Sequence, residues 1–164
     1  MTQVSLAVPG CIFCAIAAGD IPSAHLYEDG RVTAFLDIKP LSPGHALIVP
    51  KRHAAKLEDA PPEDRHALMD AAAILAPILC RETGVKDCTI AINNGPEAGQ
   101  EVAHVHVHIV PRRSTDGAGP IHAMFHAKPS VSSEEMHDLA VRVQTAVEAG
   151  GRTRATRGSG NGGR

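Results

Sequence analysis

The chain has 164 residues, a net charge of −2 and 43% hydrophobic residues, with one tyrosine, three phenylalanines and no tryptophan. This composition predicts a single globular domain with a real core. It excludes a strongly basic surface and the rows of aromatic rings on which single-stranded nucleic acid stacks, so no specific nucleic-acid partner is expected.

Residues 1–9 have no basic start and no long apolar run, so they do not resemble a signal peptide. No apolar stretch is long enough to span a membrane, and we expect a cytoplasmic protein without membrane contact. Four cysteines in a reducing compartment argue against a disulfide framework. The pair Cys11-x-x-Cys14 is then typical of a metal or redox site.

The expected organisation is a loose lead-in over residues 1–10, a folded domain over 11–149 and a disordered tail rich in glycine and arginine over 150–164. Periodicity and turn residues predict the elements of the folded domain in chain order. They are a short helix over 11–18, strands over 32–37 and 45–50 joined as a hairpin, a helix over 62–83, strands over 89–93 and 102–110, and an amphipathic helix that begins at 133. Pro77 should kink or shorten the long helix.

Three histidines, His104, His106 and His108, alternate with valines in the last predicted strand. Side chains alternate between the faces of a strand, so the three imidazoles should share one face. A single metal held by all three is geometrically poor, because positions four apart are separated by ~13 Å and Zn–N bonds are only ~2.1 Å long. A row that contacts successive parts of an extended substrate fits better, although a surface strand that happens to carry histidines is the plainer alternative.

Imidazole attacks phosphorus without a separate base, and a neighbouring imidazole can donate a proton to the leaving group. The loop before the histidines supplies donors for negative charge on phosphoryl oxygens. Gly95 and Gly99 allow close approach of backbone N–H groups, and Asn93 and Gln100 add side-chain amides. A glycine-containing loop alone is usually only a turn, but its position before the histidine strand favours a phosphate site.

Residues 104–110, His-Val-His-Val-His-Ile-Val, match the signature of the histidine triad (HIT) family at every position. The similarity runs from about Cys11 to Arg112, and the chain resembles the Hint-type branch of small bacterial members. The resemblance implies an α+β fold with a five-stranded antiparallel sheet and two main helices. It also implies a homodimer in which two sheets join into one continuous ten-stranded sheet.

The resemblance further implies roles for single residues. His106 would be the nucleophile that forms a nucleotidyl-histidine, His108 would bind phosphate and assist proton transfer, and His104 and His45 would orient the site. Asp37 would bind the ribose hydroxyls, although a capping or turn role is also common at a strand end.

The nucleotide base and the phosphate would each have their own group of residues. The base pocket would be shaped by seven apolar residues: Ile12, Phe13, Ile16, Ile21, Phe35, Ile38 and Leu47. For Ile16 and Leu47, plain core packing is an equal alternative. The phosphate would be held by Asn93, Gly99, Gln100 and the backbone of Val102.

Glu101 departs from the family pattern, because some Hint-type members carry a small hydroxyl residue at this position. A carboxylate here would repel the substrate, point away from it, or recognise an amine on the leaving group. The preference for a leaving group is therefore open.

Cys11 and Cys14 need two further ligands to form a closed metal site, and His53 and His104 are the candidates. The related galactose-1-phosphate uridylyltransferases resemble this layout, in which two cysteines, a later histidine and the first triad histidine hold zinc. The resemblance implies one structural zinc ion that anchors the N-terminal segment. The alternatives are that the cysteines are buried small hydrophobic residues or a redox pair.

The function that this resemblance favours is a nucleotidyl hydrolase acting on purine nucleoside phosphoramidates, acyl-adenylates or dinucleoside polyphosphates, with AMP or GMP as product. A dinucleoside polyphosphate phosphorylase and a non-catalytic nucleotide- or zinc-binding module are the alternatives. Residues 121–126 are a candidate segment to fold over the active site, from the same chain or from a dimer partner.

Overall fold

A five-stranded antiparallel sheet lies at the centre of residues 1–117, the larger of the two units into which the chain divides. The computed structural model describes residues 8–121 and 130–158, with side chains as far as residue 149. The strands stand in the order β1-β2-β3-β5-β4. Their bounds are β1 His25–Glu28, β2 Val32–Leu36, β3 Ala46–Pro50, β4 Asp87–Ala91 and β5 Val107–Arg112. The predicted five-stranded antiparallel sheet and the β2–β3 hairpin are confirmed.

Two helices belong to this unit: α1, Ile12–Ala18, and α2, Pro62–Glu82. Helix α2 packs on one face of the sheet and buries Leu68, Ala72, Leu75 and Leu79, the apolar positions that the periodicity indicated. Alternation along the strands places the other face under a smaller cluster, which consists of Phe13 from α1 with Phe35, Leu47 and Val49. The protein therefore has a main core on the α2 face and a second apolar layer on the α1 face.

Two predicted strand bounds are wrong, and one strand was not predicted. The strand expected over 89–93 runs as β4 from Asp87 to Ala91. The last strand begins at Val107 rather than at 102, because the N–H groups of His104 and Val105 bond to the carbonyls of Val102 and Ala54 instead of entering the ladder. Strand β1 was missed because it is a short, mostly exposed edge strand without apolar alternation.

Pro77 does not shorten α2, which continues to Glu82. The proline ring deprives the carbonyl of Ala73 of its helical partner. Pro77 and Ala73 both lie on the exposed side of the helix, where water can satisfy that carbonyl.

Residues 118–164 form the second unit, and its main element is α3, Ser133–Gly158. The helix starts at Ser133, as predicted. A capping box precedes it, in which Ser132 and Glu135 each accept a hydrogen bond from the other's backbone N–H. The backbone of α3 continues as a helix to Gly158, and the disordered tail over 150–164 stays a prediction. Residues 159–164 and most of the proposed covering segment, 122–126, lie outside the described residues. No helix of the described chain is long and apolar enough to cross a membrane.

Candidate active site and metal centre

The triad histidines lie on the α1 face of the sheet, where β5 begins. Val105, Val107 and Ile109 join the α2 core, so the intervening imidazoles point to the opposite face, as the alternation predicted. His104 and His106 are buried, and the rings of His106 and His108 are 4.8 Å apart between centroids. The rings of His106 and His108 are thus in direct contact.

His106 has a defined arrangement of its ring nitrogens. Its Nδ1 atom lies 2.7 Å from the backbone carbonyl oxygen of His104. A carbonyl can only accept, so Nδ1 carries the proton and Nε2 keeps its lone pair in the neutral ring. The edge of the Phe13 ring packs against this imidazole with centroids 5.1 Å apart.

His108 is held by His45, which lies just before β3. The backbone N–H of Leu41 donates to His45 Nδ1 at 3.2 Å, which leaves the proton of the neutral His45 ring on Nε2. That Nε2–H donates to Nδ1 of His108 at 2.9 Å, so the proton of His108 is on its own Nε2. Among the described residues, the buried Nε2 atom of His108 has no hydrogen-bond partner. This N–H group can therefore donate a hydrogen bond to a bound molecule.

Burial keeps this histidine pair neutral. Burial and the neighbouring His106 and His45 rings lower the pKa of His108 to about 4. Burial also lowers the pKa of His45, although the carboxylate of Asp37, 3.6 Å from its Nδ1 atom, opposes the shift. At neutral pH the donor at His108 is therefore a neutral imidazole.

The glycine-containing loop lies beside His108, because Ala91 at the end of β4 pairs with His108. Gln100 accepts a hydrogen bond from the N–H of Gly95 at 2.8 Å and donates to the carbonyl of Ala55 at 2.7 Å. Both ends of this side-chain amide are engaged in holding the loop. Asn93 makes only a long contact, 3.5 Å, to the carbonyl of Gly99, and its amide is the freer of the two.

Four of the seven residues expected around the base come together. Phe13, Phe35 and Leu47 are buried in the smaller cluster, and Ile16 packs against it together with Val102. Three others stand at the surface outside this cluster, namely Ile12, Ile21 and Ile38, and Ile38 is 87% exposed. Glu101 is also exposed.

Cys11, Cys14, His53 and His104 converge, with their ligand atoms all within 4.8 Å of one another. Sγ of Cys11 and of Cys14 lie 3.4 and 3.5 Å from Nδ1 of His104. The Nε2–H of His104 donates to the carbonyl of Pro50 at 2.9 Å, so the lone pair of Nδ1 faces the two sulfur atoms. Such a bond on the remote nitrogen is typical of histidine ligands to metals.

Three backbone groups hold side chains of the site in place, and no residue type or spacing in the sequence predicts them. The N–H of Leu41, the carbonyl of Pro50 and the carbonyl of Ala55 fix His45, His104 and Gln100 respectively. Only the pairing of β3 with β5 brings His45 to His108, and that pairing depends on the tertiary fold.

Comparison with known proteins identifies the class to which this fold and histidine arrangement belong. The model of the HIT domain matches residues 18–115, and the chain belongs to the histidine triad family. An adenosine 5′-monophosphoramidase of Schizosaccharomyces pombe is 43% identical over 144 residues, which cover 84% of this chain and 98% of that protein.

Two solved structures have the same fold. A crystal structure from Streptococcus mutans superposes with a TM-score of 0.78 at 33% identity and covers 90% of this chain and 91% of that one. A zinc-bound histidine triad family protein from Mycobacterium smegmatis superposes with a TM-score of 0.62 at 34% identity, over 85% of this chain and 97% of that one.

Proposed function

We propose that the protein is a nucleotidyl hydrolase that works through a nucleotidyl-histidine on His106. The observation that carries the proposal is the hydrogen bond from His106 Nδ1 to the carbonyl of His104. It leaves the Nε2 lone pair available to attack phosphorus without a general base.

The reaction has two steps. Nε2 of His106 attacks the α-phosphorus, a P–N bond forms, and the bond from phosphorus to the leaving group breaks. The leaving group takes the Nε2 proton of His108, the donor that has no partner among the described residues, and the negative charge left on His108 is balanced by the positive charge of the nucleotidyl-imidazole on His106. Water then attacks the phosphorus, the P–N bond breaks, the nucleoside monophosphate leaves, and His108 recovers its proton.

The substrates that this site suits best are purine nucleoside phosphoramidates. A poor leaving group such as an amine needs a proton, and His108 is placed to supply one. Asp37 is the candidate to accept the ribose hydroxyls, and Phe13, Phe35 and Leu47 offer an apolar layer for a base. The S. pombe relative is named an adenosine 5′-monophosphoramidase, which supports this choice. The loop with Asn93, Gly99 and the backbone of Gln100 and Val102 is the candidate phosphate site.

We also propose that Cys11, Cys14, His53 and His104 hold one structural zinc ion. Ligands in a tetrahedral zinc site are ~3.6 Å apart, and three sulfur–nitrogen distances across the cluster are 3.3–3.5 Å. Two thiolates and two imidazoles are a donor set that zinc prefers. The zinc-bound M. smegmatis relative supports the assignment. When bound, zinc would tie α1 to the start of the triad.

A homodimer joined through β4 is the proposed assembly. Strand β4 lies at the edge of the sheet with Ile90 exposed, and α2 exposes Ile74 and Ile78. An uncovered edge strand with apolar neighbours favours pairing with a second chain. Sedimentation of the wild type should give twice the mass of the chain, and Ile90→Lys should shift it toward the monomer. A wild type that sediments as a monomer would contradict this assembly.

The test of the function is a screen of adenosine phosphoramidates and dinucleoside polyphosphates with wild type and His106→Ala side by side. The variant should lose activity by on the order of 10³-fold or more, and mass spectrometry of quenched wild type should find a nucleotidyl adduct on His106. His25→Ala is the matched control, because His25 is an exposed histidine on β1 whose ring lies 3.5 Å from the carboxylate of Glu28. Activity that survives in His106→Ala would refute the covalent mechanism.

A further inference from the structure

His104 belongs to two sites at once. Its side chain presents Nδ1 to Cys11 and Cys14, and its backbone carbonyl accepts the hydrogen bond from His106 Nδ1 at 2.7 Å. One residue therefore links the metal cluster to the nucleophile, through its own covalent frame and one hydrogen bond.

Phe13 makes a second link. It lies between the two cysteines in the sequence and is buried, with its ring edge against His106 at 5.1 Å. The same ring also packs against Phe35 at 5.7 Å. The helical turn that carries both cysteines thus also carries the ring that packs against the nucleophile.

The backbone that carries His106 depends on these links, because the sheet does not hold it. Pairing between β3 and β5 ends at Ile48 with Val107, and His104 and His106 precede it. Besides the packing of Val105 in the main core, the segment is held by hydrogen bonds from the N–H of Val105 to Ala54 and from the ring of His104 to Pro50. A metal on the Nδ1 atom of His104 would add an anchor on the face that carries the nucleophile.

We propose that the metal bound by Cys11, Cys14, His53 and His104 positions the nucleophile of this enzyme as well as stabilising the fold. It fixes the carbonyl of His104 and the ring of Phe13, and so holds His106 with the proton on Nδ1 and the lone pair on Nε2. The inference rests on the proposed function of His106. Phe13 and His104 act here as positioning residues.

Loss of the metal should then affect chemistry more than binding. Asp37 and Leu47 stand on or beside β2 and β3, where the ladder holds the backbone, so nucleotide affinity should fall less than the rate, and only through the contact of Phe13 with the base. His106 should sample both tautomers, and the rate of adduct formation should fall by about tenfold or more, since the tautomer with the proton on Nε2 has no lone pair on that atom and the free ring is no longer held in the attacking position.

The experiment compares zinc-loaded and zinc-depleted full-length protein. Long-range ¹H–¹⁵N spectra report which ring nitrogen of His106 carries the proton, AMP titration reports affinity, and a single-turnover reaction with an adenosine phosphoramidate reports adduct formation. We expect one Nδ1–H tautomer with zinc, a mixture without it, and recovery when zinc is restored. Cys80→Ser is the matched control, a buried cysteine on α2 outside the cluster, and it should behave as wild type.

His53→Ala and His53→Cys keep the inference testable if zinc-free protein unfolds, because His53 is a ligand candidate without a direct bond to His106. As free zinc is titrated, the rate of folded His53→Ala should follow its zinc content, and His53→Cys should recover both. A rate and ring spectrum that stay unchanged as zinc is lost would overturn the inference. The ring spectra need no substrate and therefore test the inference separately from the proposed function. If the tautomer of His106 depends on the metal but the protein shows no turnover, the proposed function is refuted and the effect of the metal on His106 is not.

Discussion

The Nε2 atom of His45 lies 2.9 Å from the Nδ1 atom of His108, and the two rings are stacked with an interplanar angle of 26°. Because His45 Nδ1 accepts the N–H of Leu41, His45 Nε2 is the donor and His108 Nδ1 the acceptor in this hydrogen bond. The proton of His108 is therefore on its Nε2 atom. A residue more than sixty positions away in the sequence thus determines which nitrogen of His108 can donate.

Replacement of His45 by alanine should therefore weaken the donor at His108. With an amine leaving group, which needs a proton, we expect the rate of adduct formation to fall by about 10²-fold. With a leaving group that departs as a stable anion, such as fluoride, the loss should be much smaller. Single-turnover rates of His45→Ala on adenosine phosphoramidate and adenosine phosphofluoridate measure the difference. Equal losses on both substrates would show that His45 does not act through proton transfer.

Stability should depend on pH through the same pair. The pKa of His108 is about 4 in the folded protein, against an ordinary value of 6.5. Below pH 6.5 the unfolded chain gains a proton that the folded chain resists, so the free energy of unfolding should fall as the pH drops from about 6.5 to about 4. Denaturant unfolding of wild type and His108→Gln across this range measures the slope. The variant should lose stability less steeply, and identical slopes would contradict the lowered pKa.

The sequence predicts which side chains lie on the active-site face of the sheet, because this depends only on the alternation of neighbouring residues along the strand. Alternation of His104, His106 and His108 with apolar residues fixes which side chains share a face, and the valines do join the α2 core. The start of β5 was not predictable in the same way. The N–H of Val105 bonds to Ala54, and no local pattern indicates that long-range partner.

The different surroundings of the three triad histidines likewise depend on the tertiary fold. Spacing argued against a single metal site for all three, and of the triad the structure brings His104 to the two cysteines. The hydrogen bonds of the Gln100 side chain show the limit of such reasoning. Its amide suggested a phosphate ligand, and the structure shows a further role that the sequence did not indicate, since its two ends bond to Gly95 and Ala55 within and beside the loop. Its role in phosphate binding stays a prediction.

Metal content should separate the two pairs of cysteines. Cys14 lies 3.3 Å from His53 Nδ1, and Cys14→Ser removes a thiolate from the cluster, so purified Cys14→Ser should lose the zinc that we expect at about one ion per wild-type chain. Cys80→Ser should retain it, because Cys80 is buried on α2 outside the cluster. Elemental analysis after gentle purification checks both variants. A wild type without metal, or a Cys14→Ser variant that keeps it, would contradict the assignment.

The turn that leads into His45 depends on Gly44, and a pair of alanine substitutions measures how much. Gly44 has a φ of +82°, and an added Cβ would lie 2.6 Å from Cγ2 of Thr83. Gly84 also has a positive φ, +68°, but nothing stands within 4 Å of its Cβ position. Gly84→Ala should therefore cost only the backbone strain, about 1–3 kcal/mol.

Gly44→Ala should cost about 1–3 kcal/mol more than Gly84→Ala, because Thr83 must move as well as the backbone. The turn sets the position of His45, so Gly44→Ala should also slow adduct formation with an amine leaving group, whereas Gly84→Ala should not. Urea unfolding and single-turnover rates measure both effects. Equal stability of the two variants would contradict this prediction. It would mean that Thr83, at the end of α2, moves aside at a small cost in free energy and that His45 stays beside His108.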